Sequence, residues 1–131
     1  MLDLDHFKRF NDTFGHDAGD ALLRDLGQVL RENVRVSDIS CRYGGEEFVL
    51  VLPDSSLEDT WQRLEQLRVL VKGMELRHGD QLLGRITVSA GIAAAHKHGW
   101  TARELLQKAD TALYSAKQMG RDRVIIYPVQ E

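Results

Sequence analysis

Four carboxylates in two short stretches have the types and spacing to do chemistry. Leu2-Asp3-Leu4-Asp5 alternates apolar and acidic residues, and Arg42-Tyr43-Gly44-Gly45-Glu46-Glu47-Phe48 sets two glutamates against the apolar run Phe48–Leu52. On a strand, Asp3 and Asp5 point to the same face, whereas adjacent Glu46 and Glu47 point to opposite faces. Only one glutamate then converges easily with Asp3. If the second stretch lies beside the first, Asp3 and Glu46 can bracket a Mg²⁺. That hard cation takes oxygen ligands, usually one or two carboxylates plus substrate phosphates. Glycines at 44 and 45 would let phosphates approach the backbone with no Cβ in the way. A plainer account also fits: strand-end surface charges at Asp3 and Asp5, and glutamates flanking a turn. Aspartate is a poor strand former, however, and two among the first five residues ask for a reason.

The elements that must position these groups are readable from apolar spacing. Met1–Asp5 has strand alternation and no lead-in, so the chain is expected to be a piece of a longer protein. Residues 6–14 predict a short helix ended by Gly15. Ala18, Leu22, Leu23, Leu26, Val29, Leu30 and Val34 have helical spacing and predict a helix over 17–35. Ile39–Tyr43 and Phe48–Leu52 read as two strands joined at Gly44-Gly45 by a tight hairpin turn. Pro53 to Ser56 breaks the chain and supplies an N-cap, and Leu57, Trp61, Leu64, Leu67, Leu70 and Val71 line the next helix. His78-Gly79-Asp80 reads as a turn. From Ile86 to Ala94 apolar and small residues alternate, as in a central strand closely covered by a helix. Thr101 caps a helix to about Met119, Gly120 ends it, and Val124–Tyr127 is the last strand. Such mixing of elements predicts one sheet with helices packed on it, an α+β fold.

With 131 residues, the chain fits one domain with a single core, residues 1–131. The longest apolar run is about five residues, far short of the ~20 that span a bilayer, and no signal-peptide pattern opens the chain. One cysteine, Cys41, forms no internal disulfide, which favours a reducing compartment. The net charge of −3 comes with no block of lysines or arginines, so no nucleic-acid partner is expected. A nucleotide needs only a few placed cations and stays open.

Gly44-Gly45-Glu46-Glu47-Phe48 resembles the signature hairpin of the GGDEF family, the diguanylate cyclases, in its Gly-Gly-Glu-Glu-Phe form. Asp3-Leu4-Asp5-His6-Phe7-Lys8-Arg9-Phe10-Asn11-Asp12 is similar to the family's first strand and following turn. Gly15-His16-Asp17-Ala18-Gly19-Asp20 is similar to its next segment, and Lys117 and Arg121, around Gly120, to its late basic pair. The resemblance runs over nearly the whole chain and implies a central mixed or antiparallel five-stranded sheet covered by helices. That is the architecture of nucleotidyl cyclase and polymerase palm (ferredoxin-like) domains. Family domains usually carry a further helix and an Asp-x-Leu-Thr-Gly-Leu segment before the first strand, which this sequence lacks.

The resemblance implies condensation of two GTP into cyclic di-GMP with release of two pyrophosphates, one GTP per domain in a homodimer. Asp3, Glu46 and the Leu4 carbonyl match the family's ligands for Mg²⁺ (or Mn²⁺). Glu47 matches the second acidic position and is expected to assist deprotonation of the attacking hydroxyl. Asn11 and Asp20 match the guanine readers, and their donors and acceptors suit that base edge. Family members that use adenine carry serine where Asp20 stands. The backbone of His6, Phe7 and Lys8 would wrap phosphates at a helix start, with His16 supporting the site. Lys117 and Arg121 would meet the β- and γ-phosphates, although cations near a helix C-terminus are favourable in any case.

Arg35-Val36-Ser37-Asp38 stands five residues before the signature and resembles the family's inhibitory site for cyclic di-GMP. This implies product feedback through Arg35 and Asp38, with Arg63 and Arg68 as candidate helpers. Alone, an Arg-x-x-Asp is usually a surface pair worth under ~1 kcal/mol. His78, His96 and His98 show no metal-ligand spacing, and Trp61 and Trp100 read as packing residues. An upstream sensory domain is expected in the parent protein. The domain itself is expected in the cytoplasm, with or without a membrane anchor on that parent. The competing readings are an inactive GGDEF-type receptor for GTP or cyclic di-GMP, an adenylyl- or guanylyl-type cyclase, and a purely structural module. The intact signature disfavours the first. The hairpin with Asn11 and Asp20 disfavours the second. The third leaves the matched polar residues unexplained.

Overall fold

A computed structural model describes residues 1–128. The elements run β1 (Leu2–Leu4), α1 (Phe7–Phe14), α2 (His16–Glu32), β2 (Ile39–Arg42), β3 (Glu47–Val51) and α3 (Leu57–Gly73). Then come β4 (Leu76–His78), β5 (Gln81–Gly84), β6 (Val88–Ile92), α4 (Ala102–Gln118) and β7 (Val124–Ile126). Five strands form one sheet in the order β2-β3-β1-β6-β7, and β4-β5 is a separate two-stranded hairpin. Only β6 and β7 pair in parallel, so the sheet is mixed, and the expected α+β architecture holds. Among the described residues no helix is long and apolar enough to cross a membrane.

Alternation sorts β1 between the two faces of the sheet. Leu2 and Leu4 enter the larger core with Phe7 and Phe10 of α1, Leu22, Leu26 and Leu30 of α2, and Leu64 and Leu67 of α3. Asp3 points the other way, toward α4, where Met1, Val49, Ala109 and Leu113 form a smaller cluster. α4 lies so close to the sheet that a Cβ on Gly91 would stand 2.1 Å from the Ala109 carbonyl oxygen. The small residues of this strand therefore do what their pattern implied. Thr101 and Glu104 close a capping box at the start of α4. Gly120, at φ 118, turns the chain out of the helix.

Three details differ from expectation. α2 ends at Glu32, which leaves Arg35 in a turn rather than on the helix. The strand expected from Ile86 is paired only over Val88–Ile92. The hairpin is not a two-residue turn. Arg42 and Phe48 are the last register pair, Tyr43 N–H donates to the Glu47 carbonyl, and the chain bends through Gly44, Gly45 and Glu46. Neither glycine has positive φ, which the primed turns require. The Arg42 guanidinium instead holds the bend, donating to the Gly44 and Gly45 carbonyls.

Candidate active site

The bend changes how the two glutamates are aimed. Glu46 lies outside β3, so strand alternation does not govern it. Glu47 is the first residue of β3 and the direct register partner of Asp3. Antiparallel partners share a face, so Glu47 stands on Asp3's side of the sheet. Sequence reasoning placed it on the opposite side because it took Glu46 as a strand residue. Both glutamates therefore flank Asp3, Glu47 by register and Glu46 from the bend.

Asp3 is 2% exposed at the centre of the sheet, between β3 and β6. One of its oxygens accepts from the Lys117 ammonium of α4, and the other is buried without a partner among the described residues. Burial first, and then the charge of Asp3, push the Glu46 carboxyl up to about 6. Two carboxylates thus crowd one spot with too little positive charge to balance them. That imbalance is what a divalent cation relieves. Among the described residues no three His, Cys, Asp or Glu groups could hold a metal alone. Asp3 and Glu46, with the neighbouring Leu4 backbone, fit a Mg²⁺ that draws its remaining ligands from water and phosphate.

The cleft beside these carboxylates has a volume of about 460 Å³ and is walled by Leu4–Arg9, Asp12, Glu46, Lys117 and Arg121. His6 adopts φ 57 and starts α1 without a side-chain cap, which leaves the first-turn N–H groups free to meet an anion. Lys8, Arg9, Lys117 and Arg121 bring four cations. Arg9 and Asp12 line this cleft and were not expected there; their place within the first motif was the available signal. A second groove, between α2 and the edge strand β2, holds none of the expected residues.

Asn11 and Asp20 lie outside the cleft, at the corner of α1 and α2. Asn11 is one turn beyond Phe7, about 6 Å along the helix axis. Its side-chain oxygen is buried with no partner among the described residues, and it presses on Gly19, where a Cβ would stand 1.8 Å away. Asp20, next to Gly19, is exposed, as is His16 at the first position of α2. Gly44 and Gly45 precede the cleft residue Glu46 but do not themselves line the cleft, and no atom lies within 4 Å of where a Cβ on Gly45 would be.

The Arg35/Asp38 turn is a separate cluster. The Arg35 N–H donates to Asp38 Oδ2 at 2.7 Å, and Arg63 of α3 reaches the same oxygen at 2.5 Å. The Arg63 hydrogen bond, chiefly, holds the Asp38 carboxyl below its usual range. Asp38 Oδ1 and Arg63 Nη1 remain buried and unpartnered among the described residues. Of the two candidate arginines, Arg63 is therefore the one at this cluster. Arg68 binds Glu65 and Asp122 instead.

The profile described as "Diguanylate cyclase, GGDEF domain" matches residues 1–123. The chain is 44% identical over 127 residues to the response regulator PleD of Caulobacter vibrioides, covering 95% of this chain and 28% of that protein. It is 45% identical over 124 residues to the diguanylate cyclase DgcP of Pseudomonas aeruginosa, covering 95% of this chain and 18% of that protein. It therefore spans under a third of the length of either relative. Among solved structures, the GGDEF domain of DgcB from Caulobacter crescentus in complex with c-di-GMP superposes with a TM-score of 0.86 at 36% identity. That match covers 96% of this chain and 74% of that one. Fold, cleft and sequence agree, and the chain belongs to the GGDEF family of diguanylate cyclase domains.

Proposed function

We propose that this domain condenses two GTP into cyclic di-GMP and two pyrophosphates, working face to face with a second copy. The observation that carries this is the crowded pair Asp3 and Glu46 beside a cleft with four cations. Asp3, Glu46 and the Leu4 carbonyl would hold Mg²⁺ (or Mn²⁺). A bound ion supplies charge neutralisation at the attacking and leaving oxygens. The chain's own residues do the positioning that phosphoryl transfer mainly requires.

Free N–H groups at the start of α1, with Lys8, Lys117 and Arg121, bind the polyphosphate. Lys117, paired with Asp3 here, exchanges that carboxylate for phosphate when substrate enters. Asn11 and Asp20 read guanine one helical turn away, where the unpartnered Asn11 amide can hydrogen-bond to the base edge. Glu47, on Asp3's face, is placed to take the proton of the attacking 3′-hydroxyl. The Arg35–Asp38–Arg63 cluster binds the product: its unpartnered Asp38 oxygen accepts from guanine N–H groups, and its arginines meet phosphate. GTP use would suit a cytoplasmic setting, with an upstream sensory domain in the parent protein.

The test is to incubate the protein, in a form shown to dimerise, with GTP and Mg²⁺ and assay cyclic di-GMP and pyrophosphate. Glu46→Ala should abolish turnover. GTP binding by the dimer without turnover refutes the enzyme reading and leaves a nucleotide receptor.

A further inference from the structure

Asp5 was singled out by its spacing from Asp3 and lies in the cleft wall, yet it has been given no role so far. It is a buried carboxylate, 3% exposed, and every bond recorded for it is internal. Ser89 Oγ donates to its Oδ1 at 2.7 Å, and Thr87 Oγ1 donates to its Oδ2 at 2.7 Å. The Asp122 backbone N–H donates to Oδ2 at 3.0 Å and is shared with Ser89 Oγ at 3.1 Å.

That last bond falls on a loop that needs holding. Gly120, Arg121 and Asp122 follow one another at φ 118, 62 and 50. For arginine and aspartate the left-handed region is strained and persists only where surroundings enforce it. Asp5 and Ser89 grip the loop by its backbone. Arg68 and Lys72 of α3 grip it by the Asp122 carboxylate, at 2.8 and 2.5 Å. Arg121 N–H donates back to Ala116 O at 3.0 Å. The residue these holds leave pointing into the cleft is Arg121.

We infer that Asp5 is a positioning residue. Through the Asp122 N–H it fixes the left-handed loop that presents Arg121 to the terminal phosphates of the nucleotide. The inference rests on the reading of Arg121 as a phosphate ligand. It separates the two aspartates of the first motif: Asp3 faces the metal, and Asp5 faces the loop that brings the counter-charge.

Asp5→Asn tests it, because an amide nitrogen placed toward Asp122 N–H cannot accept its hydrogen bond. Affinities are measured for GMP and for a GTP analogue with a methylene bridge between the α- and β-phosphorus atoms. Asp5→Asn should weaken the analogue roughly tenfold and leave GMP unchanged. In an Arg121→Ala background the same change should cost nothing further, as expected of residues acting through one another. Equal weakening of analogue and GMP, or an undiminished effect in the Arg121→Ala background, overturns the proposal. If Arg121→Ala loses the preference for the analogue while Asp5→Asn keeps it, the proposal alone fails. If Arg121→Ala keeps the wild-type preference, the phosphate reading of Arg121 fails and takes the proposal with it. Should Asp5→Asn not fold, Ser89→Ala, which removes the shared acceptor, carries the same expectations.

Discussion

Gly91→Ala tests the packing that brings α4 to the site. A Cβ at this position of β6 would lie 2.1 Å from Ala109 O, 2.3 Å from Leu113 N and 2.9 Å from the Ala112 carbonyl carbon, whereas ordinary contact begins at 3.4 Å. All three atoms are helix backbone, so no side chain can swing aside. α4 must retreat by about 1.3 Å at Ala109, the gap between 2.1 and 3.4 Å. Overpacking a close-packed interior costs ~1–3 kcal/mol, and a rigid obstacle puts this substitution toward the upper end. For a domain of this size each kcal/mol lowers Tm by roughly 3–5 °C, so a fall of roughly 6–15 °C is expected in thermal unfolding. Gly73→Ala is the control. It lies in the last turn of α3 with nothing within 4 Å of the new Cβ and no positive φ. Lower chain entropy and better helix propensity should raise Tm slightly. Because α4 carries Lys117, the retreat should also loosen the contact with Asp3 and weaken GTP binding. A Gly91→Ala protein that melts at or above the wild-type temperature would refute this account of the α4–sheet contact.

Other expectations follow from the site. On the proposed function, metal binding would need the Glu46 carboxylate, whose raised pKa of about 6 means that below that pH a proton must leave first. Mg²⁺ affinity should therefore climb between about pH 5 and 7 and level off above. Calorimetric titrations should show proton release only on the acid side; a flat profile contradicts the assignment. Gly19→Ala would put a methyl 1.8 Å from Asn11 Oδ1 and 3.2 Å from Phe7 Cζ, pushing the Asn11 side chain off its seat and asking the Phe7 ring to give by a few tenths of an ångström. Losing one base contact should raise the KM for GTP by ~10-fold with the melting temperature nearly kept, and an unchanged KM counts against Asn11 as a guanine reader. Arg35→Ala should relieve inhibition by added cyclic di-GMP while retaining turnover, and equal inhibition of variant and parent excludes the Arg35–Asp38 site.

The parts of this molecule legible in sequence were those governed by strict periodicity. The α2 stripe from Ala18 to Leu30, the Thr101 cap and the Gly120 terminus read correctly because apolar spacing and capping chemistry are local; of the α3 stripe Leu64, Leu67 and Val71 are buried, whereas Trp61 and Leu70 are exposed. The aim of Glu47 did not read correctly, because it depends on where β3 begins. That point is set by Arg42 reaching back to the carbonyls of Gly44 and Gly45, a contact no alternation rule contains. The role of Asp5 was equally hidden. A buried acid and a surface acid look the same in sequence, and Asp5's partners Ser89 and Asp122 arrive from distant segments. Arg63 could be proposed as a partner of Asp38 but not chosen over Arg68 until α3 was oriented against that turn.

The central place of β1 governs when the site comes into being. Leu2 pairs with Phe48 on one side and Ala90 on the other, and Asp3 meets Lys117 from 114 positions away. During synthesis β1 emerges before both of its neighbours and waits for them, so the slowest, most non-local contacts are also the ones that assemble the carboxylates of the cleft. No partly folded chain can present the cleft. A ligand of the cleft would select only the completed sheet, and its binding free energy would add directly to the stability of the finished domain.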